Sequence, residues 1–262
     1  MIFIKVFPNG ELIWELAKRD VRDRYASNTL GMLWLLIQPV VTIIIYLSVF
    51  SIIFKMRIPE SANTEGSYPL YFLSGFVCWM ALSEAMSRAP SLISNNAALV
   101  KQIVFPTQVL PTKSALAVSL LQLIFLSFLI CYSLFDAGAT FMIFGLLVAC
   151  PLLLLFNIGM TSLFSAIGVF VKDVGDVIGL ILTGGLFLTP VFYAPGTVTG
   201  GLAKVIAYNP LSYPIYCFQD ILFYQRITRP EAWIIFVILS LSLCFFGQYT
   251  FRKVKHLFGD AI

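Results

Sequence analysis

Uncharged apolar stretches long enough to cross a lipid bilayer recur along this 262-residue chain. Residues 31–54 contain no charged side chain, and neither do residues 137–171. The hydrocarbon core of a bilayer is about 30 Å thick, which a helix of about 20 apolar residues crosses. Only 11% of the residues are charged, whereas about a quarter are charged in soluble domains. The sequence therefore predicts a polytopic membrane protein, and the continuous apolar runs favour helices over alternating strands.

We predict one all-α membrane domain over residues 1–262 with six transmembrane helices. The predicted spans cover residues 31–54, 68–88, 114–135, 140–171, 177–194 and 232–251. The amino terminus does not have the pattern of a cleavable signal peptide, because Pro8 interrupts its short apolar run and acidic residues follow. The first span is therefore expected to act as an uncleaved anchor.

The distribution of basic residues predicts the orientation of this domain. With six spans and a cytoplasmic amino terminus, twelve of the seventeen Lys and Arg residues fall on the cytoplasmic side and five on the outer side. Lys and Arg concentrate in cytoplasmic loops of membrane proteins. Both termini are therefore expected to be cytoplasmic.

Residues 11–25 have the periodicity of an amphipathic helix. Apolar residues such as Ile13 and Val21 share one face, while Arg19, Arg22 and Arg24 lie mostly opposite. This pattern predicts a helix lying in the membrane interface just before the first span. The alternative is an ordinary cytoplasmic helix packed on protein.

Two other segments do not fit a simple span. Residues 95–111 are too polar to cross a bilayer and contain Pro106 and Pro111, which can stiffen the ends of a short cytoplasmic helix. Residues 200–224, on the predicted outer side, are apolar but broken by proline and glycine. Such backbone at membrane depth must be buried in protein or line a cavity. We predict two re-entrant half-helices there; a simple outer loop is the alternative.

The sequence shows neither of two patterns typical of enzyme active sites. It contains no GxxxxGK[ST] phosphate-binding loop, and no acidic cluster that resembles a metal site. Glu84 and Arg88, at the inner end of the second predicted span, have the spacing of an i,i+4 ion pair. A structural ion pair is the favoured interpretation of Glu84, and a role in proton coupling is the alternative.

Four sequence blocks together resemble a known family. They are RDVRDRYASNTLGMLWLLIQP from residue 19, LVKQIVFPTQVLP from residue 99, VFVKDVGDVIGLILTGGLFLTPVFY from residue 169 and YNPLSYPIYCFQDILF from residue 208. Their order and spacing resemble the membrane-spanning subunit of ABC-2-type polysaccharide exporters, which move O antigens, capsular polysaccharides and teichoic acids. The likeness covers nearly the whole chain.

The resemblance implies a homodimer of this chain in the bacterial inner membrane, with two copies of a separate ABC ATPase on its cytoplasmic face. It implies no cofactor in this chain, with ATP and Mg bound by the partner ATPase. Residues 95–111 would be the coupling helix that docks into that ATPase. The expected contact residues are Val100, Lys101, Gln102, Ile103, Val104, Phe105 and Pro106.

The same comparison implies roles for the remaining blocks. A lipid diphosphate, such as that of an undecaprenyl-diphosphate-linked glycan, would meet the interface helix at Arg19, Arg22, Arg24 and Tyr25. The glycan path and outer gate would contain Phe187, Pro190, Phe192, Tyr193, Tyr213 and Tyr216. An exporter of lipids or drugs is the alternative within the same class, and a polyprenyl-phosphate-dependent membrane enzyme is the alternative from another class.

Overall fold

A computed structural model of the chain describes residues 9–26, 28–53, 67–101, 105–138, 140–193 and 198–261. Within these ranges the chain forms helices joined by turns, and none of the described residues belongs to a strand. The all-α prediction is therefore confirmed.

Eleven α-helices occur in the described part of the chain. In order they are α1 (Gly10–Tyr25), α2 (Trp34–Ser48), α3 (Tyr68–Arg88), α4 (Ala97–Val100), α5 (Val109–Asp136), α6 (Leu146–Phe170), α7 (Val174–Gly185), α8 (Gly201–Tyr208), α9 (Ser212–Gln219), α10 (Pro230–Val254) and α11 (Phe258–Ala261). Short 3-10 helices cover Gly31–Leu33, Ser94–Asn96, Phe141–Gly145 and Lys255–Leu257, and π-helical turns cover Val49–Ile53 and Asp220–Tyr224.

Among the described residues, five helical stretches are long and apolar enough to cross a membrane: Gly31–Ile52, Tyr68–Arg88, Val109–Asp136, Phe141–Phe170 and Pro230–Leu257. Each overlaps one of the six predicted spans. The chain is thus a multi-pass membrane protein with α2, α3, α5, α6 and α10 as its long helices.

The prediction of a continuous spanning helix over 177–194 is wrong in its second half, because α7 ends at Gly185. Twelve helical residues extend only about 18 Å. The chain still passes from one end of α3 to the other: Gly175 lies beside Pro90, and the Phe192 carbonyl accepts a hydrogen bond from Tyr68. Residues 186–193 complete this passage as turns. Gly185 packs so tightly against α3 that an added Cβ would lie 2.7 Å from the Trp79 ring.

The predicted coupling helix over 95–111 is also not one helix. A 3-10 turn and the four-residue α4 are followed by turns at Thr107 and Gln108, and α5 already begins at Val109. Pro111 therefore lies inside the first turn of α5 instead of ending the segment. Proline is tolerated there because the N–H that it lacks has no partner in a first helical turn.

Helix α3 is the centre of the bundle. In its most apolar stretch 72% of the residues are buried, against 17% for α2. It contacts α2, α5, α6, α7 and α9, and its aromatic residues Tyr71 and Phe72 are fully enclosed. The other long helices surround α3 and expose much of their apolar surface, as expected where lipid replaces water.

Helices α6 and α10 approach each other closely, and two glycines make the contact possible. A Cβ built on Gly247 would lie 2.2 Å from the Gly159 carbonyl oxygen, and one on Gly159 would lie 2.3 Å from the backbone of Leu243. Small residues let the backbones of membrane helices approach closely. Because the obstacle is backbone and not a flexible side chain, neither glycine has room for a larger residue.

We predict that Gly247→Ala lowers the stability of the protein, because the new methyl group must push α6 and α10 apart. Overpacking of this kind costs about 1–3 kcal/mol. The measurement is the thermal unfolding temperature of the purified protein in detergent. Gly179→Ala is the matched control: Gly179 lies inside α7 with no atom within 4 Å of an added Cβ, so alanine there should be neutral or stabilising. Equal unfolding temperatures for Gly247→Ala and wild type would contradict the close packing.

Candidate functional site

Five charged side chains meet where α1, α3 and α5 come together. Arg24 of α1 contacts Glu84 of α3, and the Glu84 Oε1 lies 3.2 Å from Nε of Arg88. Asp20 of α1 lies 3.6 Å from guanidinium nitrogens of both Arg24 and Arg88, and 3.9 Å from Nζ of Lys113 in α5. We call these five residues the charge cluster. The predicted Glu84–Arg88 ion pair is therefore present, as part of a larger network.

Two cations of the charge cluster are largely buried. The side chains of Arg24 and Lys113 are only 10% and 11% exposed, so both cations are largely removed from water. An isolated buried charge is costly, and each cation needs a carboxylate nearby. The cluster therefore holds α1 against α3 and α5 by electrostatic contacts, in addition to the apolar packing of Ile13 and Ala17 against Val109 and Ala117.

A cavity of about 330 Å³ lies next to the charge cluster, between the end of α1 and helices α2, α3 and α5. Its lining is polar at Arg24, Tyr25, Gln38, Glu84, Arg88 and Gln122, and apolar elsewhere. Nε and Nη2 of Arg24 and Nε2 of Gln122 are buried and have no hydrogen-bond acceptor among the described residues. These N–H donors lie on residues that line the cavity, and such donors suit an anionic or carbonyl oxygen.

Tyr25 adds a further donor to this cavity. Partial burial raises the pKa of its phenol above the ordinary value of 10, and the neighbouring Arg24 guanidinium opposes that rise. The hydroxyl is therefore protonated at physiological pH. It points to Gln38, whose Oε1 lies 3.5 Å away.

The other predicted residues of the interface helix lie outside this cavity. Arg22 is exposed and forms no ion pair with any described residue. Arg19 is exposed and pairs with Asp23 at 3.3 Å. The structure thus brings together Arg24 and Tyr25 of the four predicted positions, together with Arg88, Gln38 and Gln122, which the sequence analysis did not assign to this site.

A second, more polar cleft of about 620 Å³ separates α1 from the segment that follows α3. Arg19, Asp20 and Asp23 line one wall, and Ser91, Asn95, Asn96 and Leu99 line the other. Along this segment Ser94, Asn95, Ala98 and Lys101 are exposed. Their spacing of three and four residues places them on one face of the helical turns. In the part of the chain that the structure describes, this face is exposed.

The predicted coupling residues divide between that exposed face and the interior. Lys101 is exposed, whereas Val100 and Phe105 pack partly against an apolar cluster of Ile93, Leu110, Ala166, Phe251 and Phe258. Pro106 is half-buried. Gln102, Ile103 and Val104 lie outside the described residues, so their role stays a prediction.

At the opposite end of the bundle, three of the six predicted gate residues line one pocket: Pro190, Tyr193 and Tyr216. Phe187 and Phe192 instead stack on each other with ring centroids 5.3 Å apart, and Phe192 continues onto Phe72. Tyr213 packs against the main apolar core. The pocket also contains Tyr71, Gln219, Asp220, Tyr224 and Arg229, which the sequence analysis did not assign to a site.

The profile of the ABC-2 type transporter family matches residues 11–223, from the start of α1 to the π-helical turn after α9. The chain belongs to this family. The matched region includes the charge cluster, both clefts beside it and most of the pocket at the opposite end.

Individual ABC-2 relatives are similar along almost their whole length. The O-antigen export system permease protein RfbA of Klebsiella pneumoniae is 23% identical over 256 residues, covering 96% of this chain and 95% of the relative. RfbA of Myxococcus xanthus is 25% identical with the same coverage. The polysialic acid transport protein KpsM of Escherichia coli is 22% identical over 240 residues, covering 89% of this chain and 90% of the relative.

We predict that Glu84→Gln destabilises this ABC-2 protein, because Arg24 and Arg88 lose one of the two carboxylates that they share. A hydrogen bond to a charged group contributes roughly 1.5–3 kcal/mol. The measurement is the thermal unfolding temperature in detergent. Glu15→Gln is the control, since it breaks the Glu15–Lys18 pair between side chains that are 68% and 43% exposed, which contributes at most about 1 kcal/mol. If the two variants unfold at the same temperature, the charge cluster does not fasten α1.

Proposed function

We propose that this chain is the membrane-spanning subunit of an ATP-driven exporter that moves a lipid-linked polysaccharide, such as O antigen, across the bacterial inner membrane. The observation that carries the proposal is the similarity to two O-antigen export permeases over 96% of the chain. The multi-pass helical bundle supports it. Hydrolysis of ATP is assigned to a separate ABC ATPase, because the sequence contains no GxxxxGK[ST] loop.

The orientation follows the distribution of basic residues. The end of the bundle with the charge cluster is cytoplasmic, as are both termini, and the end with Tyr71 and Tyr216 faces outward. In this orientation the cavity beside α1 opens at the level where the headgroup of a substrate lipid would lie. Arg24 and Tyr25 then offer N–H and O–H donors to its diphosphate. Glu84 acts as the structural partner of Arg24 and Arg88.

We further propose that two copies of the chain form the transporter. Helix α2 is exposed along Val41, Ile44 and Ile45, and α7 is exposed at Leu180 and Ile181. Both helices begin at the end that contains the charge cluster. Exposed apolar faces of this kind can pack against a second copy or against lipid. Two copies of this one subunit could form a path for a polymer between them.

The ATPase would dock on the exposed face of Ser94, Asn95, Ala98 and Lys101 and in the cleft beside α1. Phe105 packs against residues of its own chain, so a substitution at Phe105 does not test ATPase docking alone. An aspartate at Phe105 would disturb the apolar cluster with Phe251 as well as any contact with a partner. Substitutions on the exposed face separate these two effects.

The proposed function predicts a specific cellular phenotype. Deletion of the gene should abolish surface polysaccharide and cause lipid-linked glycan to accumulate on the cytoplasmic side, and the wild-type gene should reverse both effects. The measurements are immunoblots of surface polysaccharide and quantification of the extracted lipid-linked glycan. Normal surface polysaccharide in the deletion strain would sink the proposal, and accumulation of another lipid or a drug would indicate the alternative exporter.

A second prediction concerns coupling. Ala98→Trp adds a large side chain to the proposed docking face, so the ATPase should no longer co-purify with the permease and export should fall strongly. The permease itself should insert and unfold like wild type, because Ala98 is exposed. His256→Trp, at an exposed position on the same end of the bundle, is the control and should retain its ATPase. Co-purification of a full complement of ATPase with Ala98→Trp would place the docking surface elsewhere.

A further inference from the structure

The segment between α3 and α5, which carries the proposed ATPase-docking face, has little regular structure of its own. Its described residues are 89–101 and 105–108, and they form a 3-10 turn at Ser94–Asn96, the four-residue α4 and irregular turns. We call these residues the docking segment. Helices as short as this are not stable by themselves. The docking segment therefore depends on contacts with the rest of the protein to keep its shape.

Several residues of the docking segment are buried in one apolar cluster. Leu92 and Ile93 are only 8% and 0% exposed. The cluster also contains one side chain from each of four helices: Leu110 of α5, Ala166 of α6, Phe251 of α10 and Phe258 of α11. Leu99, Val100 and Phe105 pack partly against it. The docking segment thus rests on the ends of α6 and α10.

Phe258 enters this cluster from the turn that follows α10. Its side chain is 0% exposed, although the three residues before it, Lys255–Leu257, are exposed. The Phe258 ring centroid lies 5.1 Å from that of Phe251, with the rings edge to face at 68°, and 6.2 Å from that of Phe170 at the end of α6. Edge-to-face packing is a favourable arrangement of aromatic rings. One side chain therefore contacts the ends of both α6 and α10.

The backbone of α6 also contacts the start of the docking segment directly. A Cβ built on Gly168 would lie 2.4 Å from the Pro90 carbonyl oxygen. Further along α6, Gly159 packs equally tightly against α10. Packed interiors transmit strain because they have few voids to absorb it. The contacts are therefore continuous from the docking segment through the Phe258 cluster to the α6–α10 pair.

We propose that Phe258 is a positioning residue for coupling: it holds the docking segment on the ends of α6 and α10, so that displacement of this segment by the ATPase moves the helix pair. This inference rests on the proposed export function and deepens it. Loss of the Phe258 ring leaves a cavity in the cluster. The docking segment then shifts into this cavity, and its displacement no longer reaches α6 and α10.

The first test measures hydrogen exchange of the docking segment in the purified permease in lipid nanodiscs, without ATPase. The probes are the amides of Asn95, Asn96 and Lys101, each of which donates a backbone hydrogen bond within the segment. Phe258→Ala should accelerate their exchange at least about tenfold, because the cavity lowers the cost of local opening. Amides in the middle of α3 should exchange as in wild type.

The second test measures coupling in the complex with the ATPase. Phe258→Ala leaves the exposed face of the docking segment unchanged, so the ATPase should co-purify and hydrolyse ATP at close to the wild-type rate. Surface polysaccharide in the complemented deletion strain should nevertheless fall about tenfold. A purely structural role predicts instead that hydrolysis and export fall together with the amount of folded permease.

Three further variants complete the series. Phe258→Leu refills most of the cavity and should restore most of the exchange protection and of the export. Leu257→Ala replaces a neighbouring side chain that is 43% exposed, and it should behave like wild type in both tests. If Phe258→Ala does not fold, Val254→Ala removes a smaller part of the same packing and should show the same two effects at smaller size.

The outcomes that overturn the proposal are specific. Wild-type exchange at Asn95, Asn96 and Lys101 in Phe258→Ala overturns it, as does faster exchange with wild-type export or an equal loss of hydrolysis and export. If only Val254→Ala folds, wild-type behaviour of that variant in both tests has the same meaning.

The failure of this inference is distinguishable from the failure of the proposed function. If the deletion strain loses surface polysaccharide while Phe258→Ala exports like wild type, the chain is an exporter in which Phe258 has no role in coupling. If the deletion strain keeps its surface polysaccharide, the export function is wrong, whatever the exchange of the docking segment shows.

Discussion

Burial of α3 among five neighbouring helices holds the two ends of the protein in a fixed relation. This helix is about 30 Å long and is enclosed where the other long helices face outward. Glu84 and Arg88 at one end belong to the charge cluster. Tyr68 and Tyr71 at the other end hold the turn after α7. One rigid helix therefore carries residues of both candidate sites, and each site depends on its position.

The long helices could be predicted from the sequence because an uncharged apolar run is a local feature. A run without charge, such as 137–171, can hardly be anything other than a membrane helix. Turns and short helices depend on contacts that no local pattern reveals. At Gly185, the last residue of α7, the backbone approaches the ring of Trp79, more than a hundred residues away. Pro111 was a reasonable end for the preceding segment, and only the start of α5 at Val109 shows that it fits a first helical turn.

The sites were predicted less completely than the helices, for a similar reason. The Glu84–Arg88 pair was visible as an i,i+4 spacing, but the partners Asp20, Arg24 and Lys113 come from two other helices. The sequence analysis did not assign Asp220 to a site. Its significance comes from Thr228 and Trp233, which follow it in the next loop and helix. The tyrosines and prolines around Asp220 indicate an unusual segment. Their pattern does not distinguish residues that line a pocket from residues that face lipid.

The turn after α7 is held together by side chains from elsewhere in the protein. Tyr71 and Gln219 both donate to the Pro190 carbonyl, Tyr68 donates to Phe192, and Asn209 donates to Leu188. These donors satisfy carbonyl groups of the turn, as backbone N–H groups do inside a helix. The turn cannot open without breaking bonds to α3 and α9 together. It therefore belongs to the same cooperative unit as those helices, and hydrogen exchange of its amides should be as slow as theirs.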